Sequence, residues 1–173
     1  MDQEQVTQIL RRAKQQAYRF LAYRNQTASE LRHRLQQRGY TVTIIDEVLR
    51  QLVSDGYIND HRLALDWARY RLQAKPLGRR RMAWELQKRG IPSEFVEEVL
   101  GEVYAEFNEV ALAEQAARKH LGSGTLPRSP RERQRYVRHL FNLGFDMETV
   151  TTALAALGSV DEAEEIMSGG DTC

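Results

Sequence analysis

Apolar residues along this chain recur at intervals of three and four rather than two. Leu31 and Leu35, then Ile45, Val48, Leu49 and Leu52, keep that spacing, which lines one face of an α-helix. Strict alternation, the mark of a half-buried strand, is scarce, so the pattern predicts an almost wholly helical chain. Thr27-Ala28-Ser29-Glu30 has the form of a capping box, with Thr27 as N-cap and Glu30 at the third helical position. Ser129-Pro130-Arg131-Glu132 follows the same logic and adds Pro130 at the first helical position, where its missing N–H costs nothing. Asp60 is expected to be the N-cap of the helix that follows it. Gly39, Gly90 and Gly144 each close an apolar-periodic run and suit a left-handed C-terminal turn.

Aligning the chain on those three glycines exposes a repeat. Eight residues before them stand Leu31, Met82 and Tyr136, and four before stand Leu35, Leu86 and Leu140. One after come Tyr40, Ile91 and Phe145, and six after come Ile45, Val96 and Val150. Nine after are Val48, Val99 and Ala153, and ten after are Leu49, Leu100 and Leu154. Every compared position is apolar or aromatic in a chain that is 42% hydrophobic, which chance explains poorly. The glycines lie 51 and 54 residues apart, so each unit has room for a leading helix and a helix–glycine turn–helix pair. Leading helices are expected at about Gln5–Arg24, Asp60–Gln73 and Asn108–His120.

A unit of this size is marginal alone and gains a core by stacking on its neighbours. The fold expected is all-α, with three tandem three-helix, helix-turn-helix-like repeats in an elongated, curved arrangement. The repeats would span residues 1–60, 61–107 and 108–158, followed by an acidic, mobile tail over 159–173.

Composition narrows the function. The chain has 173 residues, 28% of them charged, and a formal net charge of +1. No stretch approaches the roughly 18 apolar residues of a membrane span, and Met1 to Leu10 lacks the apolar core of a secretory signal. The single cysteine, Cys173, forms no internal disulfide and suggests no thiolate metal site. The expectation is a cytoplasmic protein.

The small net charge conceals segregation. From Arg69 to Gly90 eight basic residues (Arg69, Arg71, Lys75, Arg79, Arg80, Arg81, Lys88 and Arg89) face one acidic residue, Glu85. Ser93 to Gln115 carries seven acidic residues and no basic one. From Arg128 to Arg138 five arginines, Arg131 and Arg135 among them, face one glutamate, and Phe145 to Cys173 is again purely acidic, with seven carboxylates. Such bands serve equally as solvated faces with salt bridges between helices or as a bipolar docking surface. Consecutive arginines on a helix point about 100° apart, so the run Arg79-Arg80-Arg81 must present one or two side chains to solvent. Trp67, Tyr70 and Trp84 lie among the arginines, which suits stacking on single-stranded bases; for Tyr70 and Trp67, three residues apart, core packing is the favoured reading.

Catalytic chemistry finds no constellation. Gly122-Ser123-Gly124 lacks the lysine and the strand of a phosphate loop. His33, His61, His120 and His139 stand one per helix with no i, i+4 pair, so neither metal nor cofactor is expected. The leucine–turn–apolar pattern also suits a helix-turn-helix, which makes a duplex-DNA-binding transcriptional regulator the rival reading. The helices after the turns, however, carry Asp46 and Glu47, then Glu94, Glu97, Glu98 and Glu102, then Asp146 and Glu148. Phosphates lining a major groove would repel them.

The segment Gly56-Tyr57-Ile58-Asn59-Asp60, Leu63-Ala64, Arg71, Lys75, Gly78, Arg81-Met82, Glu85-Leu86, Lys88 and Gly90-Ile91 resembles the core signature of the RecX family, bacterial regulators of the RecA recombinase. Ala17–Gly39, with Leu21, Ser29-Glu30-Leu31 and Leu35, is similar to the family's first repeat. Ala117-Arg118-Lys119 and Leu140 to Phe145 are similar to its third. Pro76-Leu77 between Lys75 and Gly78, and Leu63 in place of an aromatic, depart from the family pattern. The resemblance implies a non-enzymatic, cofactor-free, monomeric protein of tandem three-helix units. Its partner would be the RecA–single-stranded-DNA filament, whose groove it would occupy, with single-stranded DNA itself touched weakly or indirectly. It would thereby lower ATP hydrolysis, strand exchange and coprotease activity in recombination, repair and the SOS response. The basic residues Arg69, Arg71, Lys75, Arg79, Arg80, Arg81, Lys88, Arg89, Arg131 and Arg135 would carry the contacts.

Overall fold

A computed structural model describes residues 3–122 and 129–168. Among these residues every regular element is an α-helix: α1 (Gln3–Tyr23), α2 (Ala28–Gln37), α3 (Val42–Ser54), α4 (Asp60–Ala74), α5 (Arg79–Lys88), α6 (Ser93–Glu106), α7 (Glu109–Leu121), α8 (Pro130–Asn142) and α9 (Met147–Ser168). They fall into three trios, each a leading helix followed by a helix–glycine turn–helix pair. The last helix continues past Gly158 to Ser168, so the expected tail begins as helix, and residues 169–173 lie outside the described residues. Gly122-Ser123-Gly124, set aside above as a phosphate loop, lies outside them in part.

The glycine turns are one structure made three times. Gly39, Gly90 and Gly144 have φ of 83°, 75° and 91°. Each donates its N–H to the carbonyl three residues back, and the next residue donates five residues back: Tyr40 to Leu35, Ile91 to Leu86 and Phe145 to Leu140, at 3.3, 3.2 and 3.3 Å. This is the Schellman arrangement, whose hydrophobic partners are the same two residues. Repetition of the apolar positions therefore reflects repetition of a hydrogen-bonded turn. Of the glycine-aligned residues, all are buried except Tyr40, Tyr136 and Leu154, which are half-buried.

Two compact units emerge, one of residues 1–67 with 85–99, the other of residues 68–84 with 100–173. In the first, α1, α2 and α3 pack on one another around Ala13, Ala17, Leu31, Leu35, Ile45, Val48 and Leu52. In the second, α7, α8 and α9 pack together, burying Ala113, Ala117, Leu140, Phe145 and Ala153. Each unit also contains a joint between consecutive trios, and the two joints use equivalent positions.

In the first joint the start of α2 meets the turn at Gly90. Thr27 Oγ1 donates to the Arg89 carbonyl at 3.2 Å, and a Cβ on Gly90 would stand 2.5 Å from Ser29 Oγ. In the second the start of α5 meets the turn at Gly144. Gly78 N–H donates to the Leu143 carbonyl at 2.9 Å and Arg80 N–H to the Gly144 carbonyl at 3.3 Å. Here backbone meets backbone: a Cβ on Gly78 would lie 2.3 Å from Gly144 C, and one on Gly144 would lie 2.4 Å from Arg81 N.

A carboxylate completes each joint. The Ala28 N–H, the first of α2, donates to Asp60 Oδ1 at 2.9 Å, and the Arg79 N–H, the first of α5, donates to Glu109 Oε1 at 2.8 Å. Asp60 and Glu109 are both the first residue of the next leading helix. The cap of α4 is therefore Asn59, not Asp60: Asn59 Oδ1 accepts from Arg62 N–H at 2.8 Å, as Asn108 Oδ1 accepts from Ala111 N–H in α7. Asp60 is released from its own helix to serve the orphan donor of another.

Thr27 forms the full capping box with Glu30. Ser129 is the N-cap of α8 with Pro130 in the first turn, but its side chain makes no capping hydrogen bond.

Candidate functional site

The densest group of cationic candidates opens α5. Positive side chains at a helix N-terminus oppose the macrodipole, so this start needs compensation, and Glu109 supplies it. Its carboxylate takes the Arg79 N–H and also lies 3.2 Å from Arg79 Nε. The Arg79 guanidinium covers the Tyr104 ring at 5.0 Å, while the Tyr104 hydroxyl donates to the Leu77 carbonyl at 2.8 Å. Burial pushes the Glu109 carboxyl above its ordinary value, against the pull of the Arg79 N–H and charge. Asp146 is held below the carboxylate range, first by the Thr149 backbone N–H and further by the charges of Arg79 and Arg80.

Arg79, Arg80 and Arg81 are all exposed. Arg80 is held through its backbone, while the Arg81 guanidinium lies 4.4 Å from the centre of the Trp84 ring. Trp84 is itself exposed. The start of α5 thus presents an arginine–tryptophan surface on a backbone clamped by Leu143 and Gly144.

The other candidates separate into groups. Arg69 makes a two-pronged ion pair with Glu106, with Nε 2.9 Å from Oε2. In the other unit the Arg89 guanidinium covers the Trp67 ring at 5.1 Å and lies 4.0 Å from Glu30. Arg71 and Lys88 are engaged by interactions within the chain. Lys75 is exposed in the link between α4 and α5. Arg131 and Arg135 are exposed one turn apart on α8. At 1.5 Å per residue they stand roughly 12–18 Å along that helix from Leu143, where α5 docks.

The acidic bands therefore answer part of the basic ones: Glu106 meets Arg69, Glu109 meets Arg79, and Glu98 lies 3.8 Å from His61 Nε2. The core reading of the aromatics holds poorly for Tyr70, which is 70% exposed. On α4 the buried face carries Ala64, Leu65, Ala68 and Leu72, and Tyr70, two residues from Ala68 and Leu72, points away from it.

Spacing in the sequence missed two groupings. Asp60 and Glu109 carry no motif that announces service to a different helix; the one visible signal is an acidic residue directly after asparagine at both leading-helix starts. His120 and His139 lie far apart in sequence, yet their rings stack at 4.1 Å with an 11° interplanar angle. No group of three or more histidine, cysteine, aspartate or glutamate side chains is placed to hold a metal ion among the described residues. Nor is any described helix long and apolar enough to cross a membrane.

These features define an all-α protein of tandem three-helix domains joined through glycine turns. The family models "RecX, first three-helix domain" and "RecX, second three-helix domain" match residues 13–52 and 59–100. The protein named Regulatory protein RecX of Pelodictyon phaeoclathratiforme is 32% identical over 142 residues, 82% of this chain and 86% of the relative. Those of Halorhodospira halophila and Chromohalobacter salexigens are 33% and 34% identical, covering 84% and 80% of this chain and 88% of each relative. The crystal structure of RecX from Lactobacillus salivarius superposes with a TM-score of 0.78 at 20% identity, over 86% of this chain and 96% of that one. A second crystal structure, of a regulatory protein RecX, gives 0.71 over 86% and 75%. The chain belongs to the RecX family of regulatory proteins.

Proposed function

We propose that this chain regulates homologous recombination by docking, as a monomer, in the groove of the cytoplasmic RecA–single-stranded-DNA filament. In doing so it lowers ATP hydrolysis, strand exchange and coprotease activity. The observation that carries the reading is family membership at about a third identity across most of the chain, joined to the exposed arginine surface at the start of α5. A rigid start is what a docking surface needs, because side chains on a clamped backbone lose less entropy on binding. Arginine suits a partner rich in carboxylates or phosphates, since its planar fork bonds two oxygens at once. Several weak contacts on one body reinforce each other through effective concentration.

The duplex-reading alternative gains no support. In α6, Glu94, Glu97 and Glu98 are all exposed, so the helix after the turn presents carboxylates where groove reading demands donors.

Arg79 is a poor residue for the test, because its reversal would also place a charge against Glu109. Arg80, Arg131 and Arg135 are exposed and serve better. The variant carrying Arg80→Glu, Arg131→Glu and Arg135→Glu should keep the wild-type helical circular dichroism. It should need at least about tenfold more protein, the loss of one or two charge-assisted contacts, to halve RecA-dependent ATP hydrolysis on single-stranded DNA. Undiminished inhibition by the folded variant would remove these arginines from the interface.

A further inference from the structure

A cleft of about 480 Å³ lies between the last turns of α7 and α8 and the link from α4 to α5. Its volume falls within the range of small-molecule sites. Lys75, Lys119, His120 and His139 line it, with Pro76 and Leu143 supplying apolar surface, and no carboxylate is among the lining residues. That distinguishes it from the start of α5, where Glu109 answers the arginine charge.

Two features of the cleft disfavour protonated imidazole. The stacked rings of His120 and His139 would repel each other if both were protonated, and Tyr136 holds the stack from the side, edge-on to His120 at 5.2 Å. Burial, then the charge of His120, then that of Lys75 hold the His139 imidazole below its ordinary value. The carbonyl ends of α7, α8 and α4, whose last residue Ala74 also lines the cleft, offset some of this charge. Each contributes about half an elementary charge, and the three together remain below the two full charges of Lys75 and Lys119.

We infer that this cleft binds a nucleoside phosphate, with the phosphate on the lysine–histidine rim and the sugar or base against Pro76 and Leu143. An anion placed on the rim would let both imidazoles carry a proton and would pair the two ammonium groups. Inorganic phosphate would satisfy the rim and leave the apolar surface unused. The nucleoside phosphate can be a free nucleotide or one residue of a single strand, since the chemistry presented to the cleft is the same. The inference concerns the chain by itself, so it stands or falls separately from filament docking.

The test is an NMR titration of the histidine ring resonances of the full chain with thymidine 5′-monophosphate, a short oligo-dT and inorganic phosphate in turn. His120 and His139 should shift saturably with a nucleotide ligand while His33 and His61 stay in place. The double variant Lys75→Glu/Lys119→Glu should weaken that binding by about tenfold or more, as expected when charged partners are removed. Shifts with the mononucleotide assign the site to free nucleotides, and shifts with oligo-dT alone assign it to a strand; either supports the inference. Unmoved His120 and His139 with both nucleotide probes would overturn it. So would equal binding of inorganic phosphate, or shifts shared by all four histidines.

Discussion

Asp60 shows how one side chain couples two elements. Its carboxylate is buried and accepts the first N–H of α2 while standing at the first position of α4. Replacing it with alanine leaves that donor unpaired, and Asp60→Ala should lower stability by about 1 kcal/mol, the usual worth of a helix cap. Asp60→Asn keeps an acceptor oxygen and should cost less; equal losses in urea titrations would contradict the capping role.

The pH dependence has a definite sign. Burial raises the Asp60 carboxyl above its ordinary value of 3.8, more than the Ala28 N–H lowers it, and Glu30 adds to the rise. Folding then takes up protons, so the contribution of this group is full below the unfolded value and is lost as pH rises through the folded one. The stability of wild type relative to Asp60→Asn should therefore fall as pH climbs from 3.8, the ordinary aspartate value, towards neutrality. A constant difference in paired denaturation curves would contradict it.

At the scale of elements, the joints make different demands on glycines that look alike in sequence. Gly39, Gly90 and Gly144 share the positive φ, yet a Cβ on Gly39 meets nothing within 4 Å, whereas one on Gly144 meets the Arg81 backbone at 2.4 Å. Gly39→Ala should cost about 1 kcal/mol for backbone strain. Gly144→Ala adds overpacking against main chain that cannot give way and should exceed it by about 1–3 kcal/mol. Similar melting-temperature losses for the two would deny the close approach.

The trios themselves were legible in the sequence because the Schellman turn needs a glycine and an apolar pair at fixed offsets, and Leu35–Tyr40, Leu86–Ile91 and Leu140–Phe145 display it. The joints were not legible. They depend on Gly78, which looks like a loop residue, and on Asp60, which has the composition of a cap but caps a helix more than 30 residues earlier. A one-dimensional pattern records which face of a helix is apolar and does not record which distant backbone amide lacks an acceptor.

On the scale of the whole molecule, the alternating charge bands divide their work. Glu106 and Glu109 neutralise Arg69 and Arg79 within the chain, while Arg80, Arg131 and Arg135 are exposed to solvent. Composition could locate the bands but not this division, because pairing depends on which helices become neighbours. His120 and His139 illustrate the same limit: each is unremarkable on its own helix, and only packing of α7 against α8 stacks them.

The most direct measurement of the functional account is co-sedimentation of the purified chain with RecA filaments assembled on single-stranded DNA with a nucleotide. Enrichment in the pellet that requires the recombinase and exceeds the amount carried down by naked single-stranded or duplex DNA is the predicted result. A chain that stays in the supernatant with filaments, or that follows duplex DNA equally well without the recombinase, would contradict the account.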